Sequence, residues 1–320
     1  MTRPDGLPSY DELPLIEATN DRHAWDVWGR DDDLGSVNGL TPERVVAAAR
    51  LVRKGRVINL DLPLNEPDPP LGRRGGYTHH VDVDRGGRDD SVDGFFLQGS
   101  SQWDGLAHIR HREFGYWGGR QDADVDAGHN GIEHWARRGL VGRGVLLDAK
   151  RHFDAQGTPF APDRRFPIGG TQLEAIAAAE GVEVRPGDIL LLRTGWLAWL
   201  RSLDRETRER MRGTVHPREG GLQSPGLDPG AATAAWLWNH GVVGVAADNH
   251  ALETLQIRAD EGFGHRRILA LLGMPIGEYF DLEELAADCA ADGVYEFLLV
   301  ASPLNLPGGV GSPANAYAIK

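Results

Sequence analysis

Short apolar runs separated by amphipathic and polar segments characterise the second half of the chain. Continuous apolar stretches predict buried strands over 144–148, 189–192, 242–247 and 295–301. Helical patterns run from Thr41 to Gly55 and over 171–180, 200–213, 231–240, 265–273 and 281–291, and an alternating strand is predicted over 56–62. Since helices alternate with short strands and no repeat or composition break divides the sequence, we predict one mixed α/β domain over 41–320 behind an irregular arm over 1–40.

Helix-start signals support three of these helices. Thr41 is a good capping residue, Pro42 suits the first helical position, and an acidic residue follows. Thr171 and Asp281 each precede a glutamate by three residues, which is the spacing of a capping box. Gly181 is a natural end for the second of these helices.

Glycine and proline are abundant and mark long loops. The chain has 42 Gly and 19 Pro, together about a fifth of its residues, against roughly 12% in average proteins. They concentrate over 63–94, 214–230 and 303–314. A loop as long as 63–94 inside a compact domain is usually functional or mobile, so it is a predicted lid or arm over a site.

Charge and cysteine content exclude several classes of protein. The 34 Lys and Arg residues face 47 Asp and Glu, a formal net charge of −13 with no basic block, which argues against nucleic-acid binding. Cys289 is the only cysteine of the sequence, so an intramolecular disulfide is excluded. The start carries no apolar leader pattern and no run approaches the ~20 apolar residues of a membrane span, so we expect a cytoplasmic protein without a membrane partner.

The densest group of polar side chains lies between Gln98 and His108. Gln98, Gln102, Asp104 and His108 are separated by even numbers of residues, so on an extended segment they would all face the same side. A carboxylate, amide oxygens and an imidazole together suit a divalent cation. The same spacing also fits a polar surface turn that follows a strand, and spacing alone leaves both interpretations open.

A second candidate group lies far along the chain. Glu278 directly precedes two aromatic residues, and a buried Glu or His such as His265 needs a partner or a metal. A helix-surface histidine and an unrelated loop glutamate remain the alternative. His250 follows Asp248 and Asn249 at the carboxyl end of a predicted strand, where open α/β sheets place ligands.

Aromatic residues near the first group suit a flat ligand, although they fit a core equally well. We therefore take Phe95, Trp103 and His250 as candidate substrate contacts. The remaining histidines are interpreted as packing or surface residues, with His79 and His80 of the long loop reaching either a site or nothing: His23, His111, His129, His134, His152, His216 and His240. The sequence contains neither a phosphate-binding P-loop nor a G-x-S-x-G nucleophile elbow.

The segment from Gln98 to His108 reads Q-x-S-S-Q-x-D-x-L-x-H. It resembles the H-x-G-T-H-x-D-x-P-x-H signature of the metal-dependent cyclase family of bacterial kynurenine formamidases and isatin hydrolases. Asp104 and His108 match the signature, Ser101 stands for threonine, and Gln98 and Gln102 stand where the signature has histidine. The form with two glutamines is similar to that of a subgroup of these proteins. Further blocks that resemble the family lie at 35–38, 142–148, 186–196 and 303–313.

The resemblance implies a swivelling β/β/α fold, with a mixed barrel-like sheet, flanking helices and long loops, in a homodimer or homotetramer. It also implies a Mn²⁺ or Zn²⁺ site whose ligands are Gln98, Gln102, Asp104, His265 and Glu278. Asp104 would be the central ligand and His108 the proton shuttle. Because an amide oxygen is a weaker zinc ligand than imidazole, the two glutamines favour Mn²⁺ or weak binding.

The reaction implied by the resemblance is hydrolysis of a small amide, formamide or cyclic amide, as a kynurenine formamidase performs in tryptophan catabolism. Two alternatives stay open. One is a cyclase-like enzyme that acts on a lactone or another small carbonyl compound. The other is a metal-free small-molecule binding protein on the same fold.

Overall fold

The computed structural model describes residues 3, 5–215, 221–258 and 260–320. The strands are β1 (Leu15–Ile16), β2 (Asp21–Arg22), β3 (Val57–Asn59), β4 (Thr78–Val83), β5 (Arg88–Asp93), β6 (Gln102–Asp104), β7 (Leu140–Asp148), β8 (Phe166–Ile168), β9 (Ile189–Arg193), β10 (Pro225–Leu227), β11 (Gly244–Ala247), β12 (Ile276–Glu278), β13 (Glu296–Ala301), β14 (Gly311–Pro313) and β15 (Ala316–Ile319).

The α-helices are α1 (Pro42–Ala49), α2 (Asp122–Asp126), α3 (Ile132–Arg138), α4 (Ala149–Ala155), α5 (Gly170–Glu180), α6 (Trp196–Ser202), α7 (Arg205–Arg212), α8 (Ala231–Asn239) and α9 (Glu283–Asp292). Short 3-10 helices cover Tyr10–Glu12, Gly35–Gly39 and Trp117–Gly119, and a π-helix covers Arg266–Leu271. Across the described ranges, every helix is too short or too polar to span a membrane.

The described strands include nine that form one central sheet, in the order β14-β6-β12-β11-β9-β7-β13-β15-β3. Its centre is parallel, since β7, β9, β11 and β12 pair in one direction, and β6 and β13 join it antiparallel. The sheet curls into a half-barrel flanked by helices. The predicted mixed α/β fold, with a barrel-like sheet and flanking helices, is therefore confirmed.

Both faces of the parallel strands are buried, which explains their continuous apolar sequences. In β9, Leu191 belongs to one core cluster, while Leu190 and Leu192 belong to the cluster on the other face. Helix α5 covers the second face through Leu173 and Ile176. Because both faces need apolar side chains, the runs lose the period-two alternation of a half-exposed strand.

The structure confirms one predicted helix start and corrects two. The hydroxyl of Thr41 accepts from the backbone N–H of Arg44 at 3.4 Å, as its capping role requires. Helix α5 begins earlier than predicted, at Gly170, because the side chain of Gln172 accepts from the N–H of Gly169 at 3.1 Å. Asp281 does not cap α9, since its carboxylate instead pairs with an arginine of α6 at 2.7 Å.

Two further helical predictions needed correction. The helix predicted over 200–213 is divided into α6 and α7, because Asp204 caps a new helix by accepting from the N–H of Thr207 at 2.7 Å. The segment predicted as a helix over 265–273 is a π-helix rather than an α-helix. The loop predicted over 214–230 contains β10, and its residues 216–220 lie outside the described ranges.

The long segment over 63–94 is not an unstructured loop. It contains the antiparallel hairpin of β4 and β5, whose described side chains are all exposed. The hairpin was missed because its strands are rich in Asp, His and Arg and bury no apolar face. Its histidines His79 and His80 pair with the opposite strand's Asp90 and Asp93, each at 2.9 Å.

Several described residues of the predicted irregular arm over 1–40 pack into the core. Tyr10, Leu13, Val37 and Leu40 are buried in the same cluster as the central sheet. The guanidinium of Arg3 lies 4.4 Å from the ring centre of a tryptophan of α8. Isolated apolar residues in irregular backbone carry no period, which is why the pattern did not reveal their burial.

Candidate metal centre

Strand β6 carries the signature segment and lies between β12 and β14. Gln102 pairs directly with Glu278, and Asp104 lies two residues further along β6. Since opposed residues share a face and side chains alternate along a strand, these three side chains project from one face of the sheet. The Gln102 amide nitrogen donates to Glu278 Oε2 at 2.7 Å and to Asp104 Oδ1 at 3.3 Å. The structure therefore brings these three predicted ligands together.

His265 reaches the same place from the residue that precedes the π-helix. Its Nε2 lies 3.2 Å from Glu278 Oε1 and 3.5 Å from Asp104 Oδ2. Its Nδ1 lies 2.6 Å from Oε1 of Glu253, and the ring of Phe263 stacks on the imidazole with centroids 4.9 Å apart. Both ring nitrogens of His265 thus face carboxylates, and the ring plane is fixed.

The pKa values of these groups reflect a surplus of buried negative charge. Burial raises the pKa of Asp104, but the charges of His108 and His265 outweigh it and hold the pKa below its ordinary value. Burial and the charge of Asp104 raise the pKa of Glu278 to about 7. Although burial opposes it, the adjacent carboxylates of Asp104, Glu253 and Glu278 raise the pKa of His265 well above 6.5. The cluster therefore binds a proton tightly, and a bound divalent cation would offset the same negative charge of the carboxylates.

The donor set fits a divalent cation. Asp104, His265 and Glu278 each offer one ligand atom, all within 4.8 Å of one another. Asp104 Oδ2 and Gln102 Oε1 are buried and lack a hydrogen-bond partner among the described residues. Buried acceptors without partners are costly unless a ligand satisfies them. Carboxylate oxygens, an amide oxygen and one imidazole suit Mn²⁺ or Zn²⁺.

Gln98 lies on the same side of the sheet, but its part in the centre stays a prediction. Gly311 of β14 is opposite Asp104, and a Cβ at Gly311 would lie 2.5 Å from the Gln98 amide nitrogen. That nitrogen is buried without a partner among the described residues. The structure therefore places the amide over the same face of the sheet as Asp104.

A cavity of about 330 Å³ opens beside the cluster. Its wall includes His265 and Glu278 of the centre, together with His108, His250 and Arg74. Nε2 of His108 lies 3.6 Å from Asp104 Oδ1, and the side chain keeps 20% of its surface exposed. Burial lowers the pKa of His108 below 6.5, so its imidazole is mainly neutral at pH 7.

The three predicted substrate contacts have different surroundings. His250 lines the cavity, and the hydroxyl of Tyr279 hydrogen-bonds to its Nδ1. Trp103 is 1% exposed and packs edge-to-face on Phe280, because alternation along β6 turns it away from Gln102 and Asp104. Phe95 packs on a tyrosine and lines a second cavity beside the hairpin. Neither Trp103 nor Phe95 lines the cavity of His108, so both expectations are corrected.

The sequence interpretation missed two residues of this site, Glu253 and Arg74. The sequence interpretation did not assign Glu253 to the centre, although the residue is 1% exposed and its carboxylate contacts His265. Arg74 lies in the loop between β3 and β4, where no motif marks it. The sequence around a lone charged residue in a polar loop does not indicate where its side chain points. His216 lies outside the described residues.

Comparisons with known proteins place this chain in a family. A family model described as "Putative cyclase" matches residues 45–254. Comparison with curated protein sequences finds no match. A solved structure described as a novel cyclase is 35% identical, with a TM-score of 0.81 over 93% of this chain and 99% of that one.

Two isatin hydrolases share the fold at lower identity. Isatin hydrolase A from Labrenzia aggregata is 16% identical, with a TM-score of 0.59 over 87% of this chain and 99% of that one. Isatin hydrolase A from Ralstonia solanacearum is 18% identical, with a TM-score of 0.59 over 87% of this chain and 97% of that one. The family model and the 35%-identical structure together establish that the chain belongs to the cyclase family.

Proposed function

We propose that this protein is a divalent-metal-dependent hydrolase of a small amide, formamide or cyclic amide. One observation carries the proposal, namely the buried group of Asp104, His265 and Glu278, in which Asp104 Oδ2 accepts no hydrogen bond from the described residues. Two of these side chains line a cavity of ligand size. The isatin hydrolases that share the fold act, by their names, on a cyclic amide, which supports this reaction class.

Asp104, His265 and Glu278 would hold the ion, with Gln102 and Gln98 as further proposed ligands. A bound divalent ion polarises a carbonyl oxygen and lowers the pKa of water. Glu253 fixes the tautomer and orientation of His265 through Nδ1, which leaves Nε2 directed towards Asp104 and Glu278. The single imidazole among oxygen donors favours Mn²⁺ over Zn²⁺.

His108 is the proposed proton shuttle. It lies on the cavity side of Asp104, and its lowered pKa keeps Nε2 able to accept a proton at neutral pH. His108 takes the proton of the attacking water and returns it to the leaving nitrogen. Asp104 Oδ1, 3.6 Å from Nε2, stabilises the imidazolium between these two transfers.

Metal content and turnover test this proposal together. Purified protein is stripped with a chelator, reloaded with Mn²⁺ or Zn²⁺, and assayed on N-formylkynurenine, isatin and simple lactones. Asp104→Asn removes one ligand charge while keeping side-chain shape. Asp126→Asn, on the exposed surface of α2, is the matched control.

We expect about one ion per chain in the wild type and in Asp126→Asn, a loss of the ion in Asp104→Asn, and turnover of an amide substrate only with metal present. Turnover of lactones with no amide activity would replace the amide assignment by the lactone alternative. Failure to retain any divalent ion under all loading conditions would contradict the proposal.

A further inference from the structure

Arg74 faces the cavity and has no acidic partner among the described residues. It forms part of the wall that also contains His108 and Glu278. Its Nη1 is buried and has no hydrogen-bond partner within the described ranges. By contrast, Arg143 and Arg193, which are also largely buried, each pair with two carboxylates. A buried guanidinium N–H without an acceptor is costly, so this arrangement points to an acceptor supplied from the cavity.

The backbone around Arg74 is held in place. Leu71 is 2% exposed and packs in a cluster with Trp196 and Tyr279. The N–H of Gly72 donates to the carbonyl of Arg212 at 3.2 Å, and the guanidinium of Arg212 donates back to the carbonyl of Arg74 at 3.1 Å. Arg74 is therefore positioned before any ligand arrives, which lowers the entropy cost of binding.

Arg74 shares its cavity with the candidate metal centre. The same wall contains His265 and Glu278 of the centre, together with His108. A ligand group bound to Arg74 would therefore lie in the same cavity as the centre.

Apart from Arg73 and His250, the remaining wall of the cavity is apolar and defines the body of the ligand. Ile109, Leu255, Ile257 and Phe263 line it. The volume of about 330 Å³ admits a compound with one ring and short substituents. The cavity thus combines a cationic group, an apolar wall and the carboxylate–histidine cluster.

We propose that Arg74 binds a carboxylate of the substrate, so that the substrates are small carboxylic acids with an apolar body and a separate amide bond. A guanidinium matches a carboxylate in a two-point hydrogen-bonded pair, which a lysine cannot reproduce. The substrate assignment rests on the proposed function. Carboxylate binding by Arg74 is independent of turnover and is measured separately.

The experiment compares benzoate with benzamide as probes, by isothermal titration calorimetry on the full chain. The two probes have the same ring and nearly the same shape, but only benzoate is charged. The variants are Arg74→Gln, Arg74→Lys and the control Arg85→Gln, whose arginine lies exposed in the turn between β4 and β5. Each titration is run on chelator-treated and on Mn²⁺-loaded protein, so that coordination of benzoate by the ion is separated from binding by Arg74.

In both metal states we expect the wild type to bind benzoate about tenfold more tightly than benzamide. Arg74→Gln should lose that preference with benzamide affinity unchanged, Arg74→Lys should retain part of it, and Arg85→Gln should retain all of it. Circular dichroism and melting temperature check folding. If Arg74→Gln fails to fold, the comparison of Arg74→Lys with the wild type decides, because loss of the two-point pair should still weaken benzoate alone.

The proposal is overturned if the wild type does not prefer benzoate, or if Arg74→Gln weakens both probes equally or neither. These outcomes are separable from failure of the proposed function. A protein that prefers benzoate through Arg74 but hydrolyses no amide would leave this inference standing and remove the hydrolase. Metal-dependent turnover with no effect of Arg74→Gln on the binding of either probe would leave the hydrolase standing and remove this inference.

Discussion

Glu253 Oε1 lies 2.6 Å from Nδ1 of His265, and this contact orients the imidazole that faces Asp104 and Glu278. Glu253 is itself fixed, because its Oε2 accepts from the N–H of Gly264 at 2.5 Å. Carboxylates in this position raise the basicity of a metal-binding histidine and set its tautomer. The pair is thus a structural reason to expect metal binding through Nε2.

Replacing Glu253 by glutamine should weaken Mn²⁺ binding by about 10- to 100-fold, because the amide keeps the shape but not the charge that supports His265. Calorimetric titration of chelator-treated protein with Mn²⁺ measures the effect. Glu209→Gln, on exposed α7, is the control and should bind as the wild type does. An affinity of Glu253→Gln within about twofold of the wild type would refute the role of this contact.

Gln102→Glu should destabilise the metal-free protein and make it more dependent on metal. Gln102 is fully buried, and its amide nitrogen donates to the carboxylates of Asp104 and Glu278. A glutamate there removes the donor and adds a further negative charge to the buried carboxylates of Asp104, Glu253 and Glu278. We expect a loss of about 3 kcal/mol in the free energy of unfolding at pH 8 in chelator, most of it recovered with Mn²⁺. Urea denaturation measures both, and equal stability of variant and wild type in chelator would argue against this geometry.

His108→Gln should lower kcat by about 10²- to 10⁴-fold on any substrate the enzyme turns over, with Mn²⁺ affinity unchanged. Because burial lowers the pKa of His108 below 6.5, the acidic limb of the wild-type kcat/KM profile should lie below pH 6.5 and should vanish in the variant. His79→Gln on the exposed hairpin is the control. An unchanged pH profile in His108→Gln would assign the proton transfer to another group.

Glu180 should make stability fall as pH rises. Its Oε1 accepts from the N–H of Asp148 at 2.8 Å, its Oε2 is buried without a partner among the described residues, and burial raises the pKa to about 8 from an ordinary 4.5. Between these two values the folded chain binds a proton that the unfolded chain has released, so stability declines through that window as pH increases.

The measurement is urea denaturation of the wild type and Glu180→Gln at pH 5 and pH 9. The glutamine carries no titratable proton, so the variant should gain stability relative to the wild type at the higher pH. A difference in free energy of unfolding that is the same at both pH values would show that Glu180 titrates normally in the folded chain.

Prediction from the sequence was most accurate for the elements whose own residues carry the hydrophobic pattern of burial. The apolar run of β11 and the continuous leucines of β9 were recognised because both faces of these strands are buried. The hairpin of β4 and β5 was missed because nothing in it is buried. Helix α9 was predicted to start at Asp281, but that carboxylate has a stronger partner in Arg201, a tertiary contact that local spacing does not encode.

For the site, the even spacing along β6 correctly put Gln102 and Asp104 on one face. The same alternation turns Trp103 into the core, whereas the prediction had taken Trp103 as a substrate contact. The approach of Glu278 depends on the pairing of two three-residue strands, and that of Glu253 on a turn before His265. Such contacts join residues far apart in sequence. The residues themselves marked Glu278 and His265 as a candidate group, the family resemblance joined that group to Asp104, and nothing supplied Glu253.

Anomalous diffraction from crystals of the Mn²⁺-loaded wild type tests the central claim most directly. The account predicts one manganese peak within coordination distance of Asp104, Nε2 of His265 and Glu278, and no such peak in Asp104→Asn. Crystals grown with Mn²⁺ in excess that show these side chains ordered with no anomalous density between them would contradict it.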